Sequence, residues 1–316
     1  MKNKYFISIV VPVFNEEENL EYLYDKLKDS LSKNEIDNYE IIFVDDGSDD
    51  GSWSIIKNLA EKDERVKGIR FSRNFGQTLA IYAGFQEAKG DVIITMDADL
   101  QNDPDDIKNL IEEMEKGYDV VSGWRRDRKD PFFTKVLPSR IANFIISIVT
   151  GVKLKDYGCT LKAYKSELVK NLRLYGEMHR FLPALCAFEG AKIKEIPVKH
   201  NKRFKGRSKY GLKRVFKVVL DLFTVKFLGS YLLKPIYFFG GIGFIFSLIG
   251  VIFVLWTLYD KLVLKVWVHR NPKIWIGFMF FPMGIQFILM GLLMEILIRS
   301  YFESQKKKPY SIKEKV

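Results

Sequence analysis

The stretch Val92–Pro104, VIITMDADLQNDP, decides how the chain is read. An apolar run, Val92 to Met96, ends in two aspartates separated by one alanine. Residues two apart on an extended strand point to the same side, so the spacing predicts that Asp97 and Asp99 converge. Two converging carboxylates repel each other unless a cation lies between them. Hard oxygen ligands suit Mg²⁺ or Mn²⁺, ions usually held by one or two carboxylates together with substrate phosphates. Gln101 continues the spacing and is a candidate to complete that shell. The plainer role for this stretch is a solvated acidic turn in which Asp103 and Pro104 open the next helix.

Outward from this point, strands and helices alternate. Phe6–Phe14 and Tyr39–Val44 read as β-branched strands, and between them Leu20, Leu23, Tyr24, Leu27 and Leu31 recur at helical spacing within Glu17 to Ser32. Ser52 to Lys62 and Gly76 to Lys89 are helical in pattern, on either side of a strand at Val66–Phe71. After the central stretch come a helix from Pro104 to Lys116 and a strand from Asp119 to Ser122. This order predicts an α/β fold, a mostly parallel sheet with helices on both faces. In such sheets ligands sit beyond the carboxyl ends of the strands. The polar clusters fall there: Asn15-Glu16, Asp45-Asp46, Ser72-Arg73-Asn74, Asp97-Asp99-Gln101 and Gly123-Trp124-Arg125. The first strand lacks the Gly-x-Gly-x-x-Gly turn that cradles a pyrophosphate, and Glu16-Glu17-Glu18 would repel one. A diphosphate bound here therefore needs a bridging metal.

Two kinds of material make up the chain. From Pro235 to Tyr259 there are 25 residues without a charge, and from Ile274 to Met294 another 21. Each run suffices to cross a bilayer as a helix, for which about 20 apolar residues are needed. Met1 to Lys4 and the apolar run behind them imitate a signal peptide. The run contains Pro12 and has no small-residue cleavage site, so it reads as a strand. Cys159 and Cys186 lack metal-site spacing and suit a reducing compartment as buried thiols.

The net charge of +11 is local. Lys199 to Lys234 holds eleven Lys or Arg against the single acid Asp221, and Trp124 to Arg140 is basic as well. In a chain with two apolar spans, anionic lipid or a phosphorylated lipid is the simpler partner, and no nucleic acid is expected. Phe132, Phe133, Val136, Leu137, Ile141, Phe144, Ile145 and Ile148 lie among Lys135 and Arg140, as in an interfacial amphipathic helix. Tyr210 to Leu233 has the same mixture. Both spans form a pair, so residues 1–230 and the tail QKKKPYSIKEKV lie on one side, expected to be cytoplasmic from their Lys and Arg content.

The motifs PVFNEEENL, DDGSDDGS, RNFGQTLA, MDADLQNDP, DYGCTLKAY and RFKGRSKYG occur in this order. Together they resemble family 2 glycosyltransferases of GT-A fold, and more narrowly the polyprenyl-phosphate glycosyltransferases: dolichyl-phosphate mannose synthases, bactoprenol glucosyltransferases and aminoarabinose transferases. The resemblance covers about residues 5–230 and extends to the two-span tail. One departure is visible: the usual Asp-Pro-Pro is Asn102-Asp103-Pro104-Asp105 here. The Gln-x-x-Arg-Trp motif of processive synthases is absent.

The resemblance implies a nucleotide diphosphate sugar as donor, with Pro12, Phe14, Glu16, Val44 and Asp46 around the nucleoside. Asp46 could accept hydrogen bonds from uracil or guanine and so does not choose the base. Asp97 and Asp99 are the implied ligands of Mg²⁺ or Mn²⁺, with Ala98 and Gln101 beside the diphosphate. The implied acceptor is undecaprenyl or dolichyl phosphate, and the implied reaction is inverting transfer of one hexose. Glucose from UDP-glucose is the first expectation; mannose from GDP-mannose and UDP-aminoarabinose derivatives are the alternatives. A phosphate monoester is largely ionised near neutrality, so no general base is required. Asp156 is accordingly expected to position groups at the reacting centre. Arg125, Arg203, Arg207 and Lys209 are the candidates to grip the acceptor phosphate. The expected organisation is a cytoplasmic catalytic domain over 1–230 with interface helices at about 131–149 and 210–230, then a hairpin over 231–300 and a basic cytoplasmic tail over 301–316. A multi-pass protein of the cytoplasmic membrane follows. A homo-oligomer is left open, and a non-catalytic membrane scaffold is the rival of another class.

Overall fold

The computed structural model describes residues 4–126, 137–201, 213–231 and 234–304. The chain forms two compact units, Met1–Val225 and Lys226–Val316.

In the first unit the β-branched runs become strands β1 (Ile7–Val13), β2 (Tyr39–Asp45), β3 (Val66–Arg70) and β4 (Val92–Thr95). The helices α1 (Glu17–Lys33), α2 (Ser52–Lys62) and α3 (Gln77–Glu87) connect them. After α4 (Asp106–Glu115) come β5 (Val120–Arg125), α5 (Leu137–Thr150), β6 (Lys162–Lys165), α6 (Ser166–Asn171), α7 (Leu182–Phe188), β7 (Ile193–Val198) and α8 (Lys213–Ser230). Among the described residues the sheet has seven strands in the order β3-β2-β1-β4-β6-β5-β7. All neighbours are parallel except β6, which runs antiparallel to both β4 and β5.

Strand alternation separates two apolar layers. Ile7, Ile9, Val11, Ile41 and Phe43 face one way, onto Leu20, Leu23 and Leu27 of α1, Ile56 of α2 and Leu110 of α4. Val10, Ile42, Val44 and Ile93 face the other, onto Ala80, Ile81 and Phe85 of α3 and Leu182 and Leu185 of α7. Both layers are almost completely buried, as expected for strands covered on two faces.

The structure corrects four expectations about this unit. The strand β4 ends at Thr95, so Asp97 and Asp99 are not on an extended segment. The chain turns there instead, and Leu100 takes the left-handed region with φ 59°. Helix α4 starts at Asp106; Asp103 lies before it, its carboxylate accepting the Asp105 N–H at 3.2 Å. The Gly123-Trp124-Arg125 cluster lies within β5, because parallel pairing with β7 continues through Arg125 and Val198. The antiparallel insertion of β6 was not anticipated; its sequence, KAYK, alternates charge with apolar residues.

The second unit contains α9 (Pro235–Leu262) and α10 (Lys273–Ser304), each long and apolar enough to cross a membrane. Their contact is made by small residues. A Cβ added at Gly284 would lie 2.5 Å from the Gly243 carbonyl oxygen, and one at Gly250 2.6 Å from the Phe281 nitrogen. Glycine at these places lets two backbones approach closely, the usual means of packing helices in lipid. The turn between the helices is tied by the buried Asp260, which accepts hydrogen bonds from Asn271 Nδ2 and Lys273 Nζ, both at 2.7 Å.

Candidate active site

Six of the seven strands bring their carboxyl ends to one edge of the sheet, and a cavity of about 760 Å³ lies among the segments that leave this edge. Pro12, Phe14 and Glu16 reach it from the end of β1, and Asp46 from the residue after β2. Asn74 and Gly76 enter ahead of α3 and Gln77 from its first position; Asp97, Ala98, Asp99 and Gln101 follow β4; Arg125 ends β5.

The loops around it hold one another in place. Asn15 N–H donates to Ser48 Oγ at 2.9 Å, Glu16 N–H to Ser52 Oγ at 2.9 Å, and Gly51 N–H to Glu17 Oε2 at 2.6 Å. The DDGSDDGS segment thus clamps the FNEE turn, and Glu17 ties two loops rather than capping its own helix. The Asp46 carboxylate accepts the Phe75 N–H at 2.7 Å and the Gly76 N–H at 2.9 Å. Burial pushes its carboxyl above the ordinary range, against the pull of these two bonds. Each carboxylate oxygen has two lone pairs, so acceptor capacity remains for a ligand.

At the turn after β4, Gln77 Nε2 donates to Asp97 Oδ1 at 2.7 Å, and Asp99 Oδ1 accepts the Gln101 N–H at 3.1 Å. Asp99 is buried and Asp97 half-buried. Among the described residues no group of three His, Cys, Asp or Glu gathers as a complete metal cage. Two carboxylates and one amide oxygen at the rim of a cavity fit a hard divalent cation whose remaining ligands come from phosphate and water. The turn, rather than the pleat of a strand, brings Asp97, Asp99 and Gln101 to the same cavity.

The DYGC segment contributes an ion pair in which Asp156 is buried and Arg125 half-buried. Arg125 Nε donates to Asp156 Oδ2 at 2.7 Å and Nη2 to Oδ1 at 2.9 Å, a bidentate grip. Asp156 also accepts the Gly158 N–H at 3.1 Å. Burial opposes the Arg125 charge, yet the pairing outweighs it and holds the guanidinium above its ordinary pKa. Arg125 lines the cavity whereas Asp156 lies behind it. Sequence reading placed these two residues in separate roles; 31 positions apart, they form one unit.

Val44 is fully buried in the α3-side layer and does not reach the cavity. Arg203, Arg207 and Lys209 lie outside the described residues. The described chain stops before them in sequence at Asn201, whose N–H donates to the Gln101 carbonyl at 2.8 Å. The cavity also contains residues that sequence reading passed over: Lys162 at the start of β6, and His179 and Arg180 in the 3-10 turn Met178–Phe181. His179 Nδ1 is 2.7 Å from the Thr78 hydroxyl. Cys159 lines the cavity too, its thiol pushed up to about 12 by burial, so it remains protonated and unreactive.

Comparison with known proteins gives the family. The dodecaprenyl-phosphate galacturonate synthase of Rhizobium johnstonii is 38% identical over 98% of this chain and 92% of its own length. The undecaprenyl-phosphate 4-deoxy-4-formamido-L-arabinose transferase of Edwardsiella ictaluri is also 38% identical, over 97% of this chain and 93% of its own. Among solved structures, glucosyl-3-phosphoglycerate synthase from Mycobacterium tuberculosis, in complex with Mn²⁺ and UDP, superposes with a TM-score of 0.52 at 18% identity. That match covers 72% of this chain and 80% of the other, a likeness of fold. The profile described as glycosyl transferase family 2 matches residues 8–173, and with relatives aligned along nearly the whole chain, this protein is a glycosyltransferase belonging to that family.

Proposed function

We propose that the protein transfers one sugar from a nucleotide diphosphate donor to a polyprenyl phosphate of the undecaprenyl or dodecaprenyl kind, with inversion at the anomeric carbon. The observation that carries this reading is the extent of the alignment. Two relatives named for polyprenyl-phosphate acceptors match over 97–98% of the chain, apolar hairpin included. In the reaction an acceptor phosphate oxygen forms the new bond to the sugar carbon. The bond from that carbon to the diphosphate breaks, and the nucleoside diphosphate leaves with the electron pair.

Asp97, Asp99 and Gln101 would hold Mg²⁺ or Mn²⁺, which neutralises charge on the departing diphosphate when bound. Asp46, Pro12, Phe14 and Glu16 would enclose the nucleoside, uridine being our choice. Arg125 would present its remaining N–H groups to phosphate while Asp156 fixes the guanidinium plane. A base role for Asp156 is disfavoured, since its oxygens are occupied by Arg125 and Gly158. Arg203, Arg207 and Lys209 stay assigned to the acceptor phosphate by motif alone.

The expectation of glucose and UDP-glucose finds no support in these relatives, whose names specify galacturonate and a formamido pentose. The aminoarabinose type of donor fits better, and so does a uronate. The α9–α10 pair would span the cytoplasmic membrane, with residues 1–230 and 301–316 on its cytoplasmic side. Purified protein, undecaprenyl phosphate and a panel of labelled nucleotide sugars test the proposal. A chelator-sensitive, lipid-extractable sugar phosphate is the expected product; release of free sugar alone, or transfer unaffected by EDTA, overturns it.

A further inference from the structure

Lys162 has no part in the chemistry described so far. It opens β6, and the register sets it directly opposite Thr95, two residues before Asp97. Partners directly opposite share a face of the sheet, here the face covered by α3, where Tyr164 packs. The Lys162 side chain lines the cavity at only 2% exposure. Its ammonium makes one hydrogen bond, to the Tyr157 carbonyl at 3.0 Å, and no ion pair among the described residues. Burial pulls its pKa down to about 8, and Arg125 and Arg180 push it in the same direction; Asp156 and Cys159 act the other way. A buried ammonium with like charges for neighbours is costly unless an anion meets it. No anion of the described chain comes within ion-pairing distance, so a ligand is the natural source.

Which anion fits follows from position. The diphosphate belongs to the turn at Asp97 and Asp99. Lys162 pairs with Thr95 across one strand spacing of about 5 Å, and the Asp97 turn follows two residues on, a separation on the order of one sugar residue. One pyranose ring with its exocyclic group bridges such a gap. Lys162 lies on a strand enclosed between β4 and β5, at the floor of the cavity. A prenyl phosphate, which trails a chain, needs a more open approach. The group at Lys162 is then carried by the donor sugar itself. His179 and Arg180 line the same cavity, and the Thr78 contact fixes the His179 ring.

We propose that Lys162, with Arg180 and His179 beside it, forms a carboxylate-binding subsite that selects a uronic acid as the donor sugar. This rests on the nucleotide-sugar reading above and narrows it. The R. johnstonii relative is named for galacturonate, the E. ictaluri relative for an uncharged formamido sugar, and both are 38% identical to this chain. The cationic floor favours the acid.

The test compares UDP-galacturonate with UDP-galactose, which differ only in carboxylate against hydroxymethyl. The full chain in detergent, with Mn²⁺ and undecaprenyl phosphate, should use the uronate at least about tenfold better in kcat/KM. Lys162→Met and Arg180→Gln should each lower the uronate-to-galactose ratio about tenfold to a hundredfold, the loss expected for one charge-assisted contact. A wild-type preference for galactose, or a ratio unmoved by both substitutions, overturns the subsite. A structural role for Lys162 would lower both donors together and leave the ratio alone. If Lys162→Met fails to fold, the wild-type ratio and Arg180→Gln decide. If neither donor is transferred to lipid, the acceptor reading fails, and equilibrium binding of the two UDP-sugars to wild type and Arg180→Gln decides the subsite separately.

Discussion

The two units use the same apolar residues in opposite ways. In the sheet unit Leu, Ile, Val and Phe point inward, and Leu20, Leu23, Leu27, Phe43 and Phe85 are fully buried. In the helical pair they point outward: Phe244, Leu255, Trp275, Phe278, Leu289 and Ile296 are exposed, while glycines occupy the contact. The sheet is stabilised by removing apolar surface from water, about 25 cal/mol per Å². That force is absent between helices in lipid, where close packing and hydrogen bonds hold the pair. Polar groups follow the same division. The sheet unit places the buried acids Asp46 and Asp99 at the edge where the cavity lies, and the hairpin spends Asp260 on its own turn.

Asp99 should give the largest effect, because it is a buried acid proposed to hold the metal. Asp99→Asn should reduce transfer about a thousandfold, the scale for losing one group that stabilises transition-state charge. Thermal stability should change little, since the amide oxygen can still accept the Gln101 N–H. A melting temperature that falls as steeply as activity would make Asp99 a structural residue.

The Arg125–Asp156 pair behaves differently. Asp156→Ala leaves a buried guanidinium unpaired, and stability should fall by about 3–5 kcal/mol in denaturant titration. Replacing both partners, Arg125→Met with Asp156→Leu, should restore most of that stability without restoring transfer. Recovery of activity in the double variant would remove Arg125 from the site.

Leucine truncation compares the two units directly. Leu23→Ala in α1 should cost about 2–5 kcal/mol, transfer and cavity terms together. Leu255→Ala on the outer face of α9 should cost far less, because in lipid both side chains meet hydrocarbon. Equal losses would mean that the outer face of α9 packs against protein. At the contact the order reverses. Gly284→Val drives a side chain into the Gly243 carbonyl and should cost about 1–3 kcal/mol, read as loosened pairing of α9 and α10 by energy transfer.

Much of this contrast is visible in the chain itself. Near-continuous β-branched and apolar runs in ISIVVPV and YEIIFVD mark strands covered on both faces, and uncharged runs of 25 and 21 residues mark the hairpin. Asp97, Asp99 and Gln101 stand out because polar groups at the end of an apolar run have no packing role. What escapes is long-range. The Arg125–Asp156 pairing depends on β5 lying beside β6, into which the DYGC turn leads, and β6 is too short and too polar to announce itself. Lys162 looks like a surface lysine until the register with Thr95 places it on the floor of the cavity. Asp97, Asp99 and Gln101 line one cavity, but from a turn after β4 and not from the strand pleat that their spacing suggested.

The smallest effect concerns a surface that belongs to neither pattern. On α5, Ile141, Phe144, Ile145 and Ile148 form one stripe at helical spacing, Phe144 at 67% exposure and Ile148 at 64%. The opposite face is docked, with Ile146 buried and Asn143 Nδ2 donating to the Lys155 carbonyl at 2.7 Å. A helix held by one face while the other displays large apolar side chains suits the headgroup boundary of a bilayer. Partial insertion of two such side chains is worth about 1 kcal/mol each by area. Phe144→Ser with Ile148→Ser should therefore lower transfer to undecaprenyl phosphate in vesicles about thirtyfold. Transfer to a short-chain, water-soluble prenyl phosphate should hold, because neither side chain lines the cavity. Equal loss with both acceptors would place the stripe against protein instead of lipid.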